Sequence, residues 1–194
     1  MERIKVKSIG VLALQGAFRE HIDIIKLLGH KGREIRKVED LSSIDGLILP
    51  GGESTAMGKL LIDFNLKEIL MEKSREGLPI WGTCAGMILL AKEIADDKVI
   101  HLPLMDITVR RNGYGRQLGS FKIDGIFKGI ENKIPMVFIR APYIERVGKG
   151  VEVLGEIEGK IVAAREGNLL VTSFHPELTD DLNIHRYFIN MIDR

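Results

Sequence analysis

Three residues in this chain have the types and the order that nucleophilic attack on a carbonyl needs. Cys84 stands in "GTCAG", residues 82–86, with a small neighbour on each side and a glycine beyond each neighbour. His175 and Glu177 stand in "SFHPEL", separated by Pro176. A thiol nucleophile needs a base, and the base needs an acceptor that fixes its tautomer. In an extended segment residues i and i+2 point to the same side, so Glu177 can accept a hydrogen bond from the His175 imidazole. Pro176 restrains the backbone between them.

Cys84 is the only cysteine in the chain. Its surroundings weigh chemistry against packing. A short apolar strand, Leu78 to Trp81, precedes it, and a helix pattern, Met87 to Ile94, follows. Gly-x-nucleophile-x-Gly between a strand and a helix is the setting of a nucleophile elbow, where the turn is tight and the helix packs close to the strand. A helix N-terminus also favours the anionic form of a thiol placed there. The competing reading is a buried structural cysteine, a common fate of lone cysteines. For His175 it is a strand-end histidine capped by a carboxylate. His21 and His30 flank the first helix pattern, His101 lies in a loop and His185 sits in the last helix. Each of these four reads as a surface or packing residue.

An oxyanion that develops at the attacked carbonyl needs donors. One is the backbone N–H of Ala85, the residue after the nucleophile. "PGGES", residues 50–54, follows another apolar run and offers the N–H groups of Gly51 or Gly52. Glycine lets backbone approach a substrate closely. Taken alone, the same five residues fit an ordinary turn before a helix N-capped by Ser54. They lack the lysine of a phosphate loop.

The elements that must hold these groups alternate in the first half. "SIGVLAL" and "DGLILPGG" read as buried strands. "REHIDIIKLLGHKG" has Ile22, Ile25 and Leu28 at helical spacing, with Gly29 as the C-terminal stop. "STAMGKLLIDF" and "LKEILMEKSREG" read as helices. Helical segments between apolar strands imply βαβ units and a mostly parallel sheet. In parallel α/β sheets, ligands bind beyond the carboxyl ends of the strands, where both Cys84 and His175 fall. From about residue 102 to 174 the pattern is strand-rich, and "IEGKIV" and "REGNLLV" read as hairpin turns. The end, "DDLNIHRYFINMIDR", is helical with Ile184, Phe188 and Met191 on one face. No linker-like stretch interrupts residues 1–194, which read as a single α/β domain with an antiparallel, strand-rich flank in the second half.

Composition narrows the partners. The 28 basic and 27 acidic residues nearly cancel, so nothing electrostatic points to nucleic acid or an anionic membrane. A single cysteine excludes an internal disulfide. The first apolar run, Ile9 to Leu14, is too short for a signal sequence or a membrane span. The expected location is the cytoplasm.

The ordered set "PGGES", "GTCAG" and "HPE" resembles the class I, triad-type glutamine amidotransferases. "LALQGAFREH", "RNGYGRQLGSF" and "FIRAP" narrow the likeness to the glutaminase-subunit family of pyridoxal 5′-phosphate synthase, over residues 10–178. The resemblance implies a three-layer flavodoxin-like sandwich. It implies Cys84 as nucleophile, His175 as base and acid, and Glu177 as its orienter. Gly52, Glu53 and Ser54 would bind L-glutamine with Arg111, Ile139 and Arg140, and Gly51, Gly52 and Ala85 would form the oxyanion hole. Gln15 would lie near that loop and the partner interface. An arginine suits the α-carboxylate of glutamine, although from the residues alone Arg111 and Arg140 read equally as solvated charges. No metal or organic cofactor is implied. The implied partner is a synthase subunit, a (β/α)₈ barrel that takes the ammonia, with twelve copies of each chain in the complex.

Other readings compete. A glutaminase serving imidazole glycerol phosphate synthase would share "GTCAG" and "HPE" but not "RNGYGRQLGSF" or "LALQGAFREH". A cysteine peptidase on a related flavodoxin-like fold sits poorly with a histidine and glutamate after a late strand. A catalytically silent regulatory module would keep Cys84 for packing alone.

Overall fold

The computed structural model describes residues 5–113 and 119–193. Strands and helices alternate at first: β1 (Ser8–Leu12), α1 (Phe18–Leu27), β2 (Lys31–Ile35), β3 (Gly46–Leu49), α2 (Ser54–Asp63), α3 (Leu66–Arg75), β4 (Ile80–Thr83) and α4 (Ala85–Leu90). Then come β5 (Ala91–Ile94), β6 (Met105–Arg110), β7 (Ser120–Gly125), β8 (Ile134–Ile139), β9 (Tyr143–Val147), β10 (Glu152–Ile157), β11 (Lys160–Glu166) and β12 (Leu169–Thr172), before α5 (Asn183–Met191).

Five strands pair in parallel in the order β2-β1-β3-β4-β12. This is the flavodoxin-like order, and its winding reverses between β1 and β3. Beyond β12 the sheet continues through β11, β9, β6 and β5, with β10 paired to β11. Antiparallel joints at β12–β11, β11–β9 and β9–β6 form the expected flank. β7 and β8 make a separate two-stranded ribbon.

The core divides across the sheet as alternating side chains require. Leu47 and Leu49 of β3, Ile80 of β4 and Val171 of β12 pack with Met57, Leu61, Leu70 and Leu89 of α2, α3 and α4. Ile48, Trp81 and Leu170, one position along the same strands, pack with Ile22 and Ile25 of α1 and Ile184 and Phe188 of α5. Helices therefore cover both faces of the parallel strands, and the result is a three-layer sandwich. Among the described residues, no helix is long and apolar enough to cross a membrane.

Several sequence readings hold in detail. Gly29, with φ +81°, follows the end of α1, and Glu158 and Gly159 turn the β10–β11 hairpin with φ +50° and +74°. Others need correction. The helix pattern Met87–Ile94 stops at Leu90, because Ala91 and Ile94 pair with Met105 and Val109 of β6. The strand before Cys84 lies two residues later than Leu78–Trp81, in register with both β3 and β12. His21 lies inside α1 rather than beside it. Ser54 is the first residue of α2 and Glu53 is its cap, accepting from Thr55 and Ala56 N–H at 3.1 and 2.6 Å.

The two glycines around Cys84 have separate steric duties. A Cβ on Gly82 would stand 2.4 Å from the Gly86 carbonyl oxygen, and one on Gly86 would stand 2.0 Å from the Leu49 carbonyl oxygen. Both obstacles are backbone, so neither yields to a side-chain rotation. Gly86→Ala is expected to cost about 3 kcal/mol or more of stability through overpacking. Gly150→Ala, where the nearest atom is 3.6 Å away, is expected to stay within about 0.5 kcal/mol. Urea melts of the two variants check the contrast.

Candidate active site

Four loops at the carboxyl ends of parallel strands build one cleft of about 570 Å³. Gln15 follows β1, Gly51 to Ser54 follow β3, Cys84 and Ala85 follow β4, and His175 follows β12. The cleft straddles the β1/β3 reversal, where crevices open in this topology. Ile139 at the end of the ribbon, Arg140 just after it and Arg111 just after β6 complete the lining.

Cys84 occupies the sharpest point of the backbone. Its φ of 49° and ψ of −102° lie where L residues rarely go. The conformation is held from both sides. The Cys84 N–H donates to the Thr172 carbonyl of β12 at 2.8 Å, and the Gly82–Gly86–Leu49 contacts hold the following helix against the strands. The residue is 8% exposed yet lines the cleft. Ala85 opens α4, and the first N–H groups of a helix have no partner within it.

His175 is anchored through its own backbone N–H, which donates to the Val137 carbonyl of β8 at 2.7 Å. Its Nδ1 meets Glu177 Oε1 at 2.7 Å, and the residue lines the same cleft as Cys84. Burial alone would lower the imidazole pKa. Hydrogen bonds and charges of Cys84 and Glu177 outweigh it and raise the value from 6.5 to about 10. Glu177 sits behind the histidine with its side chain fully buried. Burial pushes its carboxyl up, but His21 and His175 hold it below the ordinary carboxylate range.

The loop after β3 is fitted to its neighbours. A Cβ on Gly51 would lie 2.4 Å from His175 Cε1, and one on Gly52 would lie 2.4 Å from Gln15 Oε1. The Gly51 carbonyl accepts from Ala17 N–H at 3.1 Å, and Glu53 N–H donates to Gln15 Oε1 at 2.8 Å. The Glu53 carboxylate is engaged as the α2 cap, and the Ala56 N–H leads the contacts that lower its pKa. The cleft thus meets a carboxylate already bonded to backbone.

All the residues singled out from sequence line this cleft except Glu177, which stands behind His175. Arg111 is paired with Asp97 and reaches Thr55 Oγ1 at 3.4 Å. Arg140 follows the end of β8, with φ 42°. The Tyr114–Leu118 portion of "RNGYGRQLGSF" lies outside the described residues. Among the described residues, no cluster of three or more His, Cys, Asp or Glu has metal-holding geometry. Sequence reasoning missed Asp97, and it passed over His21 and His185, both buried behind Glu177. Helical spacing carried the signal for them: His21 stands four residues before Ile25, and His185 three before Phe188, both core positions.

Comparisons with known proteins agree with this geometry. The profile of the SNO glutamine amidotransferase family matches residues 11–194. The chain is 56% identical over 185 residues to "Pyridoxal 5'-phosphate synthase subunit PdxT" of Caldanaerobacter subterraneus subsp. tengcongensis, covering 94% of this chain and 98% of that one. It is 57% identical over 188 residues to the subunit of the same name from Streptococcus pneumoniae, covering 95% and 97%. A solved structure described as "Crystal structure of glutamine amidotransferase" superposes with a TM-score of 0.92 at 45% identity, covering 96% of this chain and 99% of that one.

The raised pKa of His175 has a definite sign. Protonation of this imidazole contributes stability that is present in full below about pH 6.5 and is lost as pH rises through about 10. A ¹³C-histidine titration by NMR is expected to show one imidazole titrating near 10. In Glu177→Gln, which removes the carboxylate charge, that midpoint is expected to fall.

Proposed function

The chain belongs to the SNO glutamine amidotransferase family, and from that premise we propose that it is the glutaminase subunit of a pyridoxal 5′-phosphate synthase. It hydrolyses L-glutamine to L-glutamate and ammonia. The observation that carries this reading is near-full-length identity of 56–57% with subunits named for that enzyme. The line from Cys84 through His175 to Glu177 at the floor of the cleft supports it.

In the proposed reaction Cys84 gives its thiol proton to His175, and its sulfur attacks the side-chain carbonyl carbon of glutamine. The oxyanion is met by the N–H groups of Ala85 and of the Gly51–Gly52 loop. His175 delivers a proton to the amide nitrogen, the C–N bond breaks, and ammonia leaves. The glutamyl thioester is then attacked by water, whose proton passes to His175 as the C–S bond breaks and glutamate departs. Glu177 keeps the imidazole in one tautomer throughout.

The backbone of Gly52, Glu53 and Ser54 and the wall at Ile139 hold the substrate side chain. Arg111 and Arg140 recognise its α-carboxylate through charge-assisted hydrogen bonds. Arg111 arrives with Asp97 already bound, so substrate carboxylate shares or displaces that partner. Ammonia passes to the synthase subunit, a (β/α)₈ barrel, in a complex of twelve and twelve. A covered exit suits the chemistry, because water would protonate free ammonia. Leu178 and Ile139 support a covering partner: they are 45% and 39% exposed at the cleft. One domain over residues 1–194 contains all of this.

Glutamate release is measured for the chain alone and with its cognate synthase subunit. Strong activation by that subunit is the expected result. Release indifferent to it returns the pathway to the wider superfamily, and no release in either case removes the reading. Cys84→Ala and His175→Asn are expected to lose about 10³-fold or more in kcat with the circular dichroism spectrum unchanged. Glu177→Gln is expected to lose roughly one to two orders of magnitude less, because it orients the base without carrying the proton.

A further inference from the structure

Behind Glu177 lies a second pair of histidines that the reaction above does not use. His21, from α1, and His185, from α5, are 0% and 1% exposed. His21 Nδ1 meets His185 Nε2 at 2.9 Å. On its other side, His21 Nε2 faces Glu177 Oε2 at 3.5 Å. That is the carboxylate oxygen His175 does not take. Trp81 closes the group, edge-on to His21 at 5.5 Å and to His185 at 4.9 Å. Its indole N–H is directed to Thr172 Oγ1 at 3.2 Å, away from the histidines.

The protons in this row follow from its far end. His185 Nδ1 is buried without a hydrogen-bond partner among the described residues. A buried N–H left without an acceptor is the rarer and costlier orphan, so the proton belongs on Nε2. His185 Nε2–H then donates to His21 Nδ1. A neutral His21 with an accepting Nδ1 carries its own proton on Nε2, the nitrogen that stands 3.5 Å from Glu177 Oε2 without a formed hydrogen bond. The reverse assignment would set a bare ring lone pair against a carboxylate oxygen 3.5 Å away, where neither atom has a formed hydrogen bond. Burial also lowers the pKa of both imidazoles, for His21 against the opposing charges of Glu177 and Glu20 and in concert with that of His175.

We propose that His21 and His185 are positioning residues for glutamine hydrolysis: a neutral pair with fixed tautomers that holds the second oxygen of Glu177 and sets the plane in which it meets His175. The proposal rests on the glutaminase reading above. The pair acts most when His175 has given its proton to departing ammonia. Glu177 is then a buried carboxylate facing a neutral ring, and the His21 N–H is the donor on its other side.

The test measures glutamine hydrolysis with the synthase subunit present. Wild type is compared with His21→Gln, His21→Leu, Glu177→Gln and the double variant His21→Leu/Glu177→Gln. His21→Leu is expected to lower kcat about tenfold or more while KM stays within about twofold. His21→Gln, whose amide can donate to Oε2, is expected to remain within about threefold of wild type. In the Glu177→Gln background, His21→Leu is expected to cost less than about twofold further. A His21→Leu enzyme with wild-type kcat, or losses that multiply, overturns the proposal while wild-type activity keeps the glutaminase reading intact. Wild type inactive toward glutamine overturns both. Should His21→Leu fail to fold, ¹⁵N-histidine NMR of the wild-type complex decides. Nε2–H tautomers at both residues near pH 7.5 support the proposal, and an Nδ1–H tautomer or an imidazolium at His21 overturns it.

Discussion

A cysteine at φ 49° and ψ −102° is the constraint on which the rest of this structure turns. Such backbone costs about 1–3 kcal/mol and persists only where its neighbours over-determine it. Here they do so with backbone atoms rather than flexible side chains. Gly86 lies against the Leu49 carbonyl, Gly82 lies against the Gly86 carbonyl, and the Cys84 N–H is bound to Thr172. Three parallel strands, β3, β4 and β12, are thereby tied to one turn. The sulfur that results is nearly buried yet still part of the cleft wall.

The antiparallel second half bears on the same point from the other side. β8 binds the backbone N–H of His175 through Val137 and ends in Ile139, which lines the same cleft as Cys84 together with Arg140, the next residue. One strand, β8, therefore holds the His175 backbone and also brings Ile139 to the cleft. The parallel sheet places the thiol, and the ribbon sets the distance at which the imidazole stands from it. Glu177 and the two buried histidines fill the space between that ribbon side and helices α1 and α5, which makes the packing beneath the base polar where the surrounding core is apolar.

Much of this was legible from residue types. The alternation of apolar runs and helical spacings implied the parallel sheet, and Gly-x-Cys-x-Gly implied the turn. "HPE" implied the carboxylate behind the histidine. What was not legible depended on partners distant in sequence. Ala91–Ile94 continues a helical pattern in the chain, but β6 offers it a strand to pair with, and pairing prevails over local propensity. Glu53 replaced Ser54 as the cap because the turn after Gly52 brings its carboxylate over the first N–H groups of α2. His21 and His185 are 164 positions apart. Each looks like a stray polar residue in its own helix, and only the packing of α1 beside α5 brings them together.

The closeness of Gly51 to the His175 ring has a steric meaning. A Cβ at position 51 would lie 2.4 Å from His175 Cε1, so the loop after β3 and the imidazole leave no room for a side chain between them. Only glycine at position 51 lets the loop after β3 and the ring after β12 share this space, so two segments far apart in the chain form one continuous stretch of cleft wall.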